Sequence, residues 1–263
     1  MILSTDKIIT GDNVAVLQTW PCSCIDLVIT SPPYDSLRTY GGHSWNFESV
    51  ACELSRVLKP GGVIVWVVAD ATVDGSETLT SMRQAIYFKD VCGLRVRDTM
   101  VWNKGGFSAV GALAVQYAPV WEYMVVLSKG APRTFNPIKD KPNKWAGTKN
   151  HGTVRVDNDE RRPVSNNKEI ADFGQRYNVW EIPPHRQQGD GKHPAPFPLA
   201  LARDHILSWS NEGDVVLDPF AGSGTTCVAA KELKRSYIGI EVNPAYVEIC
   251  EKRLCNKSVS NEN

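Results

Sequence analysis

Apolar residues along this chain recur in two alternating rhythms, short β-rich runs and stretches of helical spacing. Lys7 to Thr10 reads as a short strand ending at Gly11-Asp12, followed by a short helical stretch to Leu17. Ile25 to Thr30 is the next strand. Phe47, Val50, Leu54, Val57 and Leu58 fall at helical spacing, and that helix stops before Lys59-Pro60-Gly61-Gly62. Val63 to Val68 is β-branched and apolar almost throughout, as a central strand covered on both faces would be. A helix is expected over Leu79 to Cys92, and strands over Arg97 to Trp102 and Glu122 to Ser128. The Gly- and Ala-rich connection between those strands, Gly105 to Pro119, is long for a hairpin. From Lys129 to about Gly191 periodicity fails, and Pro, Asn, Gly and charges dominate. It resumes with a helix near Leu199 to Trp209, strand Val215 to Leu217, helix Thr225 to Leu233 and strand Tyr237 to Glu241. A last helix starts after Asn243-Pro244, a fitting cap and first-turn pair. Strands alternating with helices predict an α/β fold, a mostly parallel sheet covered on both faces, with the long polar segment hanging from one end.

Two of the strands run into unusual loops. Ile25-Asp26-Leu27-Val28-Ile29 leads into Thr30-Ser31-Pro32-Pro33-Tyr34, and Asp214 to Leu217 leads into Asp218-Pro219-Phe220-Ala221-Gly222-Ser223-Gly224-Thr225-Thr226. Open α/β sheets place their ligands outside the carboxyl ends of the strands, so both loops are candidate sites. In the second, glycines at 222 and 224 let backbone amides approach a ligand at a helix N-terminus. A phosphate-binding loop is excluded, because the lysine of G-x-x-x-x-G-K-[ST] is absent and the glycine spacing differs. About twenty residues on, a strand ends in Glu241, where a carboxylate hydrogen-bonds the ribose hydroxyls of a nucleoside. On these residues alone, a purely structural turn remains the alternative.

The first loop suits a flat polar base. Pro32 and Pro33 fix an extended turn and remove two backbone donors, leaving carbonyls as acceptors. Ser31 offers a side-chain oxygen, and Tyr34 a flat face with a polar tip. Acceptors that engage the two N–H bonds of an exocyclic amine make its nitrogen more tetrahedral and aim its lone pair. Stacking on Tyr34 would add roughly 1–3 kcal/mol. The bland reading of S-P-P-Y is a surface turn. Its place after a buried strand, beside a glycine loop, favours a transfer reaction between the two sites.

Charge sharpens the picture. The chain is neutral overall, yet Lys129 to Lys192 holds 13 basic against 8 acidic residues, while the remainder holds 16 against 21. A basic insert on an acidic body is the footprint of a segment that meets phosphates, although a solvated loop region explains the charge equally well. The seven cysteines form no C-x-x-C pair and read as reduced thiols, with no metal site expected. The longest apolar run, Val63 to Ala69, is too short for a bilayer, and no signal-peptide pattern opens the chain, so a cytoplasmic protein without membrane partners is expected.

Taken together, these motifs resemble the β-group of DNA amino-methyltransferases, which act on N4 of cytosine or N6 of adenine using S-adenosylmethionine. In that family the catalytic motif precedes the target-recognition region and the cofactor motif follows it, as here. The resemblance covers nearly the whole chain. Ile8-Ile9-Thr10-Gly11-Asp12 looks like the strand that ends in the cofactor-adenine contact, Asp12. Leu58 to Gly62 looks like the family's helix-to-strand turn, and Trp121-Glu122-Tyr123 to Lys129-Gly130 like its last core strand. His193-Pro194-Ala195-Pro196-Phe197-Pro198 resembles the segment near the methionine end of the cofactor, with His193, Pro194 and Phe197 as contacts. Asp218, Pro219, Phe220, Ala221, Gly222, Ser223, Gly224 and Thr225 match the cofactor motif, and Glu241 with Asn243 the ribose motif.

The resemblance implies a circularly permuted Rossmann-like methyltransferase sheet, mostly parallel with an antiparallel strand. Residues 1–128 would form the catalytic half, 129–191 the target-recognition insert, 192–255 the cofactor half and 256–263 a polar tail. It implies double-stranded DNA as substrate, with the target base flipped out of the duplex. Ser31 and the Pro32 carbonyl would accept from the amine and Tyr34 would stack, with Pro33 completing the motif. Arg38, Tyr40, Arg133, Lys139, Lys141, Lys144, Arg161 and Arg162 are the candidate DNA contacts, though 35–45 reads equally as a connecting loop. A cognate restriction endonuclease and a homodimer are further partners the family brings into view. Serine at the first motif position occurs in the family mostly with N4-cytosine enzymes, so cytosine is expected and adenine N6 is the alternative. A DNA-binding regulator with little catalysis is the alternative of another class. Pro21-Cys22 lies before a strand and not after the cofactor motif, against a cytosine-C5 nucleophile. The motif order likewise counts against RNA and release-factor enzymes of the N-P-P-Y type.

Overall fold

Ile25–Thr30 is buried at every residue and forms the centre of an eight-stranded sheet. The structure, a computed structural model, describes residues 3–33, 45–106, 117–149, 153–156, 160–163, 168–184 and 198–256. Eight strands make the sheet: β1 (Lys7–Thr10), β2 (Ile25–Thr30), β3 (Leu58–Val68), β4 (Arg95–Asn103), β5 (Trp121–Ser128), β6 (Val179–Glu181), β7 (Val215–Asp218) and β8 (Ser236–Glu241). Their order is β1-β8-β7-β2-β3-β5-β4-β6. Every pairing is parallel except the two made by β5, which alone among these eight runs against the rest. The α/β, mostly parallel, permuted sheet with one antiparallel strand is therefore present.

Among the described residues six helices join the strands: α1 (Asn13–Gln18), α2 (Phe47–Val57), α3 (Thr80–Asp90), α4 (Leu199–Trp209), α5 (Thr225–Glu232) and α6 (Pro244–Asn256). α1, α2 and α3 pack in succession as one group, and α4, α5 and α6 as another. From β7 the chain winds through α5, β8 and α6 toward β1. From β2 it winds the other way, through α2, β3 and α3. Right-handed crossovers running in opposite directions put the two helix groups on opposite faces. The reversal falls between β7 and β2, the switch point at which such sheets bind ligands.

α2 begins where the Asn46 side chain accepts from the Ser49 amide at 2.8 Å, and ends where Leu58 turns extended ahead of Pro60. The sheet departs from the sequence expectation in two places. β3 starts at Leu58, because Leu58 pairs with Ile25 across a bulge and the Lys59-Pro60-Gly61-Gly62 turn is absorbed into the strand. β6 lies within the segment that reads as aperiodic. Three residues carry no readable period, and only Trp180 is buried, its register set by Trp102.

Pro137–Tyr177 forms a compact unit of its own, inside the expected 129–191 insert; Met1–Asn136 and Asn178–Asn263 make up the other unit. Short paired strands organise the small unit, Lys141–Pro142 with Phe173–Gly174 and Thr153–Arg155 with Arg161–Pro163. No helix among the described residues is long and apolar enough to cross a membrane.

Candidate active site

The carboxyl ends of four neighbouring strands bring most of the expected residues into one row. Thr10 pairs with Glu241, Asp218 with Gly239, and β7 with β2, so Asp12, Glu241, Asp218 and Ser31 lie at or just beyond the ends of β1, β8, β7 and β2 in turn. At the switch point a buried hydrogen bond joins the two motifs. The Thr30 hydroxyl donates to Asp218 Oδ1 at 2.7 Å, across 188 residues of chain. The Phe220 amide donates to the same oxygen at 3.1 Å, so the carboxylate sets both the end of β2 and the start of the glycine turn.

Burial pushes the Asp218 carboxyl up from 3.8 to about 6, opposed by hydrogen bonds from Thr30, Thr226 and the Phe220 amide and reinforced by nearby Glu241. The unfolded chain releases this proton near 3.8 and the folded chain near 6, so this group lowers stability as pH rises through that window. Asp218→Asn keeps Oδ1 as acceptor for Thr30 and the Phe220 amide and removes the buried charge. It is expected to stabilise the fold at pH 7.5 by up to ~3 kcal/mol and to leave it unchanged near pH 4, as read from melting curves at both pH values.

The glycine turn is held from three sides. Gly222 and Gly224 both have positive φ, 50° and 79°, and Gly224 caps α5. Glu241 accepts the Gly222 amide at 2.8 Å and the Asn243 amide at 2.9 Å, one on each oxygen. A carboxylate has about four acceptor positions, so two remain for a diol. The buried Asn13 side chain donates to the Pro219 carbonyl at 3.1 Å. From α6, the half-buried Arg253 donates to the Ser223 carbonyl at 2.5 Å and its hydroxyl at 2.9 Å; burial lowers the pKa of this guanidinium. Phe220 packs against Trp45 with ring centroids 5.0 Å apart, and Trp45 and Trp66 form an aromatic wall beside the turn.

On the chemistry side, Pro32 is buried and Ser31 and Pro33 are half-buried, directly after buried Thr30. Asp12 follows β1, and its side chain accepts from the Ala15 amide at 2.9 Å, capping α1. Neither Asn13 nor Arg253 is among the residues expected from the sequence. Asn13 carries one local signal, its place directly after Asp12 at a strand end. Arg253 carries none.

Other expected residues lie elsewhere. Tyr34, Arg38, Tyr40, His193, Pro194 and Phe197 fall outside the described residues. Arg133 is not brought to the row: its guanidinium pairs with buried Asp26, near the opposite end of β2 from Ser31, where Lys59 also meets Asp26 at 2.6 Å. A charge count cannot distinguish an arginine that faces solvent from one that neutralises a buried carboxylate. Lys139, Lys141, Lys144, Arg161 and Arg162 belong to the small unit. There Lys141 lies over the Tyr177 ring, Lys144 over Trp145, and Arg162 pairs with Glu160 at 3.8 Å.

This arrangement can hold a nucleoside-bearing group on the glycine turn and a second planar substrate at the Ser31 loop. A family model described as DNA methylase, of the N6/N4 type, matches residues 25–252. The chain belongs to this DNA methylase family. Within it, the chain is 48% identical over 239 residues to the orphan methyltransferase M.BamHII of Bacillus amyloliquefaciens, covering 88% of this chain and 89% of that one. It is 30% identical to the DNA adenine methyltransferase YhdJ of Escherichia coli K12, covering 94% and 82%. The PvuII DNA methyltransferase, a cytosine-N4-specific enzyme, shares the methylase fold with a TM-score of 0.69 at 20% identity, over 99% of this chain and 88% of that one. A putative DNA modification methylase of Thermus thermophilus, solved with S-adenosyl-L-methionine, gives 0.63 at 25% identity, covering 97% and 96%.

Proposed function

We propose that this methylase transfers a methyl group from S-adenosylmethionine to N4 of cytosine in double-stranded DNA. The observation that carries the reading is the Thr30–Asp218 hydrogen bond, which ties the strand end leading into Ser31-Pro32-Pro33 to the start of the glycine turn on the adjacent strand. The residues fit the cofactor. The turn has glycines where the backbone is left-handed, and Glu241 keeps acceptor capacity for a ribose diol at the next strand end. When bound, S-adenosylmethionine supplies an electrophilic methyl group. A solved relative with that molecule bound supports the assignment.

The protein's part is alignment. Ser31 and the Pro32 carbonyl accept from the amino group of a flipped base, so its nitrogen lone pair faces the cofactor side of the crevice. Tyr34, next in the motif, offers the stacking face. The amine nitrogen would form the new N–C bond as the S–CH3 bond of the bound sulfonium breaks, the neutral thioether would depart with the bonding pair, and the methylated amine would pass its extra proton to water; no covalent bond to the enzyme is needed. Pro32 and Pro33 hold the acceptors in place, so little reorganisation is needed during the step. The basic small unit, with Lys139, Lys141, Lys144, Arg161 and Arg162, would meet the DNA backbone as the target-recognition region. Its compact fold and excess positive charge support that role. The 48%-identical relative is described as an orphan methyltransferase, which favours an enzyme acting without a cognate restriction endonuclease.

Ser31 is the residue that favours cytosine; the adenine methyltransferase at 30% identity keeps N6 of adenine as the second reading. Nucleoside mass spectrometry on unmodified genomic DNA incubated with the protein and S-adenosylmethionine separates them. N4-methylcytosine is expected. N6-methyladenine would transfer the mechanism to the other base, and C5-methylcytosine would contradict the site. Glu241→Ala is expected to weaken S-adenosylmethionine binding by roughly 10- to 100-fold, the worth of a charge-assisted hydrogen-bond pair. Calorimetric titration measures it, and DNA affinity measured alongside should stay unchanged.

A further inference from the structure

Among the described residues two pairs of thiols share a hydrogen bond, Cys227 with Cys250 and Cys52 with Cys92. The first pair is closed to solvent, with Cys227 on α5 against Cys250 on α6. The second lies at the surface. Cys52 is exposed on α2, and Cys92 is half-buried two residues past the end of α3. Tyr87 on α3 touches both. Its hydroxyl lies 3.7 Å from Cys52 Sγ, and its carbonyl accepts the Cys92 amide at 3.2 Å. Of these four thiols, only Cys52 and Cys92 combine contact with a second sulfur and access to a reagent in solution.

Their surroundings give the two sulfurs different chemistry. Burial raises the pKa of the Cys92 thiol, opposed by a hydrogen bond with Ser55 and reinforced by Cys52. Exposed Cys52 is thus the sulfur that an oxidant in water meets first, with Cys92 held as a thiol beside it. The hydrogen bond with Cys52 pushes the Tyr87 hydroxyl up to about 12, so it stays protonated at neutral pH and can donate to an oxygen placed on that sulfur. The Tyr87 ring also packs against Phe47 of α2, with centroids 5.3 Å apart, which keeps the two helices together at this point. Sulfurs already in hydrogen-bond contact need close by only roughly 2 Å to reach bonding distance.

We propose that Cys52 and Cys92 form a peroxide-operated staple between α2 and the turn that follows α3. Hydrogen peroxide is the co-reactant. The Cys52 sulfur attacks one peroxide oxygen, the O–O bond breaks, water departs, and Cys52 is left as a sulfenic acid. Cys92 then attacks the Cys52 sulfur. An S–S bond forms as the S–OH bond breaks, and the hydroxyl leaves with the Cys92 proton as a second water. Two thiols have lost two electrons and two protons, and the peroxide has been reduced to water. The disulfide closes a loop of about 40 residues that runs through β3 and α3, so it restricts the unfolded chain far more than the folded one. Because Cys52 is exposed, thiol–disulfide exchange reopens it. Neither cysteine belongs to the glycine turn or the Ser31 loop, so the proposal is independent of the methyl-transfer reading.

The test is to treat the reduced full chain with a few equivalents of hydrogen peroxide, then denature it, alkylate the remaining thiols, digest it and map the peptides by mass spectrometry. A peptide pair linked through Cys52 and Cys92 is expected, with Cys227 and Cys250 both alkylated. The oxidised chain should melt roughly 5–10 °C above the reduced one, and dithiothreitol should cancel the difference. Cys92→Ser should leave Cys52 as a sulfenic acid that dimedone traps, whereas Cys52→Ser should take up no dimedone at Cys92. Both variants should lose the melting shift. A Cys227–Cys250 link formed instead, a disulfide between two chains, or Cys52 carried on to sulfinic acid with no link overturns the proposal. So does a linked chain that melts with the reduced one, or dimedone on Cys92 in the Cys52→Ser protein.

Discussion

Ser31→Ala is expected to lower the rate of methyl transfer roughly 10²-fold or more while leaving S-adenosylmethionine binding and the fold intact. The reason is positional. Ser31 follows the buried Thr30 at the end of β2, and Thr30 is fixed by its bond to Asp218, so the serine sits at the end of a rigid strand. Removing its oxygen would delete one of the two proposed acceptors for the target amine. Ser31→Thr, which keeps the hydroxyl, should recover part of the rate. Equal losses in the alanine and threonine variants would show that crowding, and not the acceptor, governs the step.

Gly224→Ala is the substitution with the largest expected effect on stability. A methyl group at this position would lie 2.0 Å from Cys250 Sγ and 3.1 Å from Cys250 Cβ, and φ is +79°. The left-handed backbone costs an L-residue about 1–2 kcal/mol. Forcing a side chain into the packed α5–α6 contact costs about 1–3 kcal/mol more. A total near ~3 kcal/mol lowers the melting temperature of a chain of this size by about 10 °C, and the turn that would carry the cofactor is displaced with it. Pairing the change with Cys250→Ala should recover the steric share only. A Gly224→Ala protein that melts with the parent would mean that α6 does not pack on the turn as described.

The strands and helices are legible in the sequence because their apolar periods are long. Ile25–Thr30 and Val215–Asp218 announce themselves by β-branched runs that end at polar loops. The two motifs are legible one by one for the same reason. What joins them is not: Thr30 and Asp218 are 188 residues apart, and nothing local to a threonine says that its hydroxyl meets a buried carboxylate. Arg253 and Asn13 act on the turn from other elements, so their roles exist only after folding. Trp180 holds the edge strand in a segment whose period is too short to read, and Arg133 has the sequence look of a DNA contact although it neutralises buried Asp26. Apolar exposure on α3 is equally invisible, because Met82 and Ile86 fit a core pattern as well as a surface one.

One crevice holds the proposed cofactor site at the glycine turn and the proposed amine site at the Ser31 loop, and the two should have separable duties. Single-turnover methyl transfer to DNA, followed as a function of S-adenosylmethionine concentration in the parent, Ser31→Ala and Glu241→Ala proteins, separates them. Ser31→Ala should depress the plateau rate and leave the half-saturating concentration alone. Glu241→Ala should raise the half-saturating concentration and approach the parent plateau at saturation. If instead Ser31→Ala changed only the half-saturating concentration, or both variants transferred methyl groups as the parent does, the assignment of the two loops would be contradicted.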